Sequence, residues 1–183
     1  SGVGGRRSLT VGAGSPAWGV DGDGEGSQLA ASEDCRLRAQ ERWQRWSISE
    51  DRPWVGLHPG AAFGPSKIWP LDRLARVAKE LRDVDGCEIV ITCGPGEEEL
   101  AQDLEARIDG PVINLAAGLW PLDELKVLME KLALLITGDT GPRHIAAGMS
   151  TPQVVLMGPT SPDYTDAFLE TTTVIRKQID CSP

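Results

Sequence analysis

The sequence predicts an α/β domain over residues 53 to 183: a parallel sheet with helices on both faces. Three observations carry that reading. Short apolar runs alternate with stretches of helical period, five times over, with short connections between them. The apolar runs are too short for helices, as in Glu88-Ile-Val-Ile-Thr92 and Leu132-Ala-Leu-Leu-Ile136. Several of them end in glycine-containing loops that lead straight into a helix. Parallel strands need crossover helices, so the alternation implies a parallel, Rossmann-like sheet.

Taken in order, residues 1 to 31 hold nine of the 21 glycines and no apolar period, which is linker composition. Gly12-Ala-Gly14 lacks the third glycine and the amphipathic helix that a dinucleotide loop needs. Residues 32 to 52 form a helix and connector. Ser32 to Trp46 is the helix, and Asp51-Arg-Pro53 breaks the chain before the strand Trp54-Val-Gly-Leu-His58. Leu71, Leu74, Val77, Ala78 and Leu81 mark the next helix, and Cys87 to Cys93 the next strand. Leu100, Leu104 and Ile108 mark a helix before the brief strand Pro111-Val-Ile-Asn114. Leu122, Leu125, Leu128, Met129 and Leu132 mark a helix before the strand ending at Ile136. A helix starts near Gly141, and Gln153-Val-Val-Leu-Met157 is the last strand predicted.

Apolar residues make up 40% of the chain and charged residues 25%, the range of a water-soluble fold with one core. No apolar run reaches membrane-span length, and no charged-then-apolar leader opens the sequence. The net charge of −9 argues against general attraction to nucleic acid or anionic lipid. Nearly all of it sits on residues 53 to 183, with 19 acidic and 11 basic side chains. A local anion site built from backbone amides and a few cations remains compatible with that charge. Cys35, Cys87, Cys93 and Cys181 form no C-x-x-C pair, and His58 and His144 are too few for a structural zinc site. The expectation is a reducing, cytoplasmic setting with no metal and no cofactor. Asp21-Gly-Asp23 and Asp83-Val-Asp85 have the D-x-D spacing of some metal-using transferases, but they fall in the linker and at a helix end.

Three loops leave strand carboxyl ends and should gather on one edge of the sheet. The first, His58-Pro-Gly-Ala-Ala-Phe-Gly-Pro-Ser-Lys-Ile-Trp-Pro70, offers flexible backbone at Gly60 and Gly64 and a point charge at Lys67 that suits phosphate. On its own it reads as a glycine-proline loop with a solvated lysine, and it is not a P-loop. The second, Cys93-Gly-Pro-Gly-Glu-Glu-Glu99, puts three carboxylates at a helix start, where the dipole alone accounts for them. One of them also suits a ribose diol. The third is Thr137-Gly-Asp-Thr-Gly-Pro-Arg-His144, where a buried strand turns at once into a helix and leaves backbone N–H groups for a phosphate. It is continued by Met157-Gly-Pro-Thr-Ser-Pro162. His144 lies one turn after Thr140, which makes it a better functional candidate than His58. Arg143 adds a phosphate contact or faces solvent.

The loop Pro59 to Pro70, the turn Asp139-Thr-Gly-Pro-Arg-His-Ile-Ala-Ala147 and Gly158-Pro-Thr-Ser-Pro162 together resemble glycosyltransferase family 9. Within it they are most similar to the ADP-heptose:lipopolysaccharide heptosyltransferases of the second type. The resemblance covers residues 53 to 183 and implies the C-terminal, donor-binding half of a GT-B fold, in which two Rossmann-like domains face across a cleft. It implies a fragment truncated at both ends, with the acceptor domain and its general base lying outside it. The family reaction is an inverting displacement that needs no metal. By matching position, Lys67 and His144 would stabilise the leaving diphosphate. Gly60, Ala61, Lys67, Glu97, Asp139, Thr140, Gly141 and His144 would bind the sugar nucleotide. Glu97 is the implied ribose partner, in a register open by one. Asp139 holds sugar hydroxyls or fixes the turn. The implied partners are ADP-heptose or another sugar nucleotide and, through the other domain, a lipopolysaccharide core acceptor. Contact with the inner membrane is at most peripheral. Another GT-B sugar-nucleotide enzyme, an epimerase or a non-catalytic nucleotide-binding module are the competing readings.

Overall fold

The computed structural model describes residues 29–46, 48, 51–60, 65–118, 120–158 and 171–177. Its elements are α1 (Glu33–Trp43), β1 (Trp54–His58), α2 (Leu71–Asp85), β2 (Glu88–Ile91), α3 (Glu98–Arg107), β3 (Ile113–Asn114), α4 (Leu122–Lys131), β4 (Leu134–Gly138), α5 (Gly141–Gly148), β5 (Gln153–Met157) and β6 (Thr172–Arg176). Short 3-10 turns cover Gln44–Trp46, Pro65–Lys67 and Leu115–Ala117. Every strand pairing is parallel, in the order β3-β2-β1-β4-β5-β6. That is the doubly wound order, which reverses direction between β1 and β4 and opens a crevice there at the strands' carboxyl ends.

The alternation of side chains along the strands divides the core in two. Val55, Leu57, Ile89, Ile91 and Ile136 face α2 and α3, where Leu74, Ala78, Ala101 and Leu104 are buried against them. Trp54, Val90 and Leu135 face the opposite side and pack with Ala39 and Trp43 of α1, Leu128 and Met129 of α4 and Ala146 of α5. Gly56 belongs to this second face. A Cβ there would lie 2.5 Å from the Leu132 side chain, so the missing side chain lets the end of α4 rest on the central strand. The helix signals act locally as expected. Ser32 accepts from the Cys35 N–H at 3.3 Å to cap α1, and Gly86 ends α2 at φ 67°, a conformation that favours glycine.

The sequence pattern predicts no strand after β5, and the structure adds β6 at the sheet edge. Its side chains alternate between half-buried and exposed, so it lacks the continuous apolar run that marks β1 and β4. Asp83 does not stand as a free D-x-D carboxylate: it pairs with Lys79 at 3.1 Å and Arg82 at 3.0 Å on the surface of α2. No helix among the described residues is long and apolar enough to cross a membrane.

Candidate functional site

The crevice between β1 and β4 is built from loops far apart in sequence. Register pairs His58 with Thr137, so the first loop and the Thr137–His144 turn leave the sheet side by side. The Pro65–Lys67 turn then folds across the strand ends. The Lys67 carbonyl comes within 3.6 Å of where a Cβ on Gly138 would lie, and the Ser66 carbonyl within 3.7 Å of one on Gly158. His58, Pro59, Lys67, Thr137 and Gly138 line the narrow opening that results.

Lys67 reaches over this opening and places its Nζ 3.4 Å from Asp139 Oδ2. The other Asp139 oxygen accepts from Arg143 Nη1 at 2.8 Å, one helical turn along. Only 2% of the Arg143 side chain and 8% of the Asp139 side chain are exposed. Burial by itself pushes the Asp139 carboxyl up. The Arg143 hydrogen bond and the Lys67 charge outweigh it, and the group ends below the usual carboxylate range. Arg143 therefore does not face solvent. Its spacing of four from Asp139 is the signal that was available for this, since such residues meet on one helical face.

Thr140 occupies the N-cap position of α5 with extended backbone and is 8% exposed. Its hydroxyl lies 3.3 Å from the Thr137 hydroxyl and does not cap the helix. Gly141 begins α5 at an exposed position, and a Cβ there would meet nothing within 4 Å. Pro142 follows, and its missing N–H costs nothing in a first turn. His144 is exposed one turn along α5. The helix start thus presents open backbone beside the Lys67–Asp139–Arg143 cluster, an arrangement suited to an anion.

Glu97 sits at the N-cap of α3 and turns back toward the crevice. Its carboxylate accepts from the Gly94 N–H at 2.8 Å and lies 3.5 Å from His58 Nε2. It occupies the space that a Cβ on Gly60 would need, so the close approach at Gly60 is made by Glu97. His58 is 3% exposed, with Nδ1 3.1 Å from the Thr92 hydroxyl. Burial holds this imidazole below its ordinary range despite the neighbouring Glu97. No local pattern in the sequence predicts these contacts, which join the loop after β1 to the loop after β2. Cys93, next to this loop, is pushed up to about 11 by burial and by Glu98 and Glu97. Ala61, Gly64 and Pro159 to Pro162 lie outside the described residues.

The model of glycosyltransferase family 9 (heptosyltransferase) matches residues 6–183. The chain belongs to that family. The match begins well before the motifs quoted above. Lipopolysaccharide heptosyltransferase 2 of Escherichia coli K12 is 35% identical over 136 residues, 72% of this chain and 38% of that protein. Among solved structures, a family 9 glycosyltransferase from Veillonella parvula superposes with a TM-score of 0.76 at 27% identity, covering 84% of this chain and 44% of that one. The E. coli ADP-heptose LPS heptosyltransferase II superposes with a TM-score of 0.73 at 32% identity, covering 85% and 50%. This family 9 chain therefore spans half or less of the length of these relatives.

Proposed function

We propose that this chain is the donor-binding part of a heptosyltransferase, holding ADP-heptose for inverting transfer to a lipopolysaccharide inner core. The observation that carries the reading is the meeting of Lys67, Asp139 and the open N-terminus of α5 at the β1/β4 switch point. Family membership and the likeness to an ADP-heptose-named relative narrow the ligand to a sugar nucleotide. In this reading the diphosphate lies against the N–H groups of Thr140 and Gly141, with the Thr140 hydroxyl and Lys67 beside it. These fixed donors meet the charge that develops on the leaving group. His144 stands at the phosphate or sugar end, and Ala61 contributes backbone alone. Glu97 holds the ribose hydroxyls, and Asp139 acts through the turn that it fixes. The general base and the acceptor groove belong to a second domain facing this one, on the cytoplasmic side and at most peripheral to the inner membrane.

Calorimetric titration with ADP, UDP, GDP and CMP tests this. The expected result is binding led by ADP, with no sugar transfer by this chain alone. Preference for a uracil nucleotide would point to another sugar-nucleotide enzyme, and no binding to any of the four by folded protein would overturn the donor-site reading.

A further inference from the structure

We propose that Arg143 is a positioning residue that allows Lys67 to pass from Asp139 to a bound phosphate. The proposal rests on the donor-site reading above. Arg143 occupies an unfavourable place for a cation: it is 2% exposed and in the first turn of α5, at the positive end of the helix dipole. Its position becomes favourable through Asp139, whose Oδ1 accepts from it at 2.8 Å. Asp139 Oδ2 is left for Lys67, at 3.4 Å, so one carboxylate serves two cations through separate oxygens. Lys67, with 17% of its side chain exposed, is the partner nearer the opening. Among the described residues, the charged groups acting on Asp139 are Lys67 from the first loop and Arg143 from α5.

A nearly buried carboxylate stripped of its only cation is strongly unfavourable. Were Lys67 the sole counter-ion, a phosphate could recruit it only by leaving Asp139 bare. With Arg143 in place, Lys67 can exchange one anion for another while Asp139 stays compensated.

The test is ADP titration of the wild-type chain, R143M and the double variant D139N/R143M, each checked for folding by circular dichroism. R143M keeps the apolar stem and is expected to bind ADP about tenfold or more weakly, because Lys67 is then tied to Asp139. The double variant frees Lys67 and is expected to bind at least about fivefold more tightly than R143M. R143M within twofold of wild type, or no rescue in the double variant, overturns the proposal. Absence of ADP binding by the wild type removes the donor-site reading itself, and the exchange falls with it. If R143M does not fold, carbon NMR of wild-type Asp139 decides: its carboxylate is expected to stay ionised at pH 4.5 both free and saturated with ADP. Protonation on ADP saturation overturns the role of Arg143.

Discussion

Replacing Lys67 with alanine removes a cation that lines the β1/β4 opening. A charge-assisted hydrogen bond to phosphate contributes roughly 1.5–3 kcal/mol. Lys67 does not start unpaired, because Asp139 lies 3.4 Å from its Nζ and must be exchanged for the phosphate. The net loss should therefore fall in the lower half of that range, about 1.5–2 kcal/mol, or roughly ten- to thirtyfold in the ADP dissociation constant. Arg143 still compensates Asp139 at 2.8 Å in this variant, so the fold should survive the change. Calorimetric titration at two salt concentrations, beside a thermal melt, gives both numbers. An ADP affinity within twofold of wild type, in a sample that melts normally, would remove Lys67 from the phosphate site. A large drop in melting temperature would instead show that Lys67 holds the turn, contrary to its loose pairing.

Glu97→Ala should weaken ADP by about tenfold if its carboxylate meets the ribose hydroxyls, and leave 2′,3′-dideoxy-ADP nearly unaffected; equal losses for both ligands would place Glu97 away from the ribose. Burial holds His58 below its ordinary range, so below about pH 6.5 the unfolded chain binds a proton that the folded one refuses. Stability should be full above that pH and fall as pH drops, by at most about 1.4 kcal/mol per pH unit, and denaturant titrations of His58→Gln should show a flatter profile. An identical slope in both proteins would exclude His58 as its source. The Cys93 thiol, at about 11, should alkylate at pH 8 far more slowly than a solvent-exposed cysteine, and rapid modification of the native protein would contradict its packing. Leu57→Ala, at a fully buried central-strand position, should cost about 2–5 kcal/mol in urea unfolding; a loss below 1 kcal/mol would be inconsistent with its place in the core.

The central strands were legible because burial on both faces leaves no polar alternation to confuse them: β1 is buried at every position, and β4 at all but its ends. β6 was missed for the converse reason. At the edge only one of its faces meets the core, and Thr172, Thr173 and Arg176 dilute the apolar signal. Its β-branched run Thr171-Thr-Thr-Val-Ile175 was the cue available. The helices were readable from caps and period because those are local interactions, as at Ser32 and Gly86.

The site divides along the same line between local and distant information. The strand-turn-helix at Thr137 to His144 could be read directly, since a few adjacent residues specify an open helix start. Its charge state could not, because the Lys67–Asp139 pair joins residues 72 apart in sequence. Glu97, Gly60 and His58 likewise meet only once β1 and β2 lie side by side. Arg143 is the instructive intermediate case. The i, i+4 spacing to Asp139 was visible, but whether that face of α5 pointed to solvent or to the sheet depended on packing against β4 and β5. Once Ala146 and Ala147 are buried on the same helix, Arg143 is carried inward with them, and the Asp139 carboxylate helps to compensate the cation there. The anion-binding turn and its buried counter-charge are therefore one construction: the packing that exposes Gly141 at the crevice is the packing that buries Arg143 beneath it.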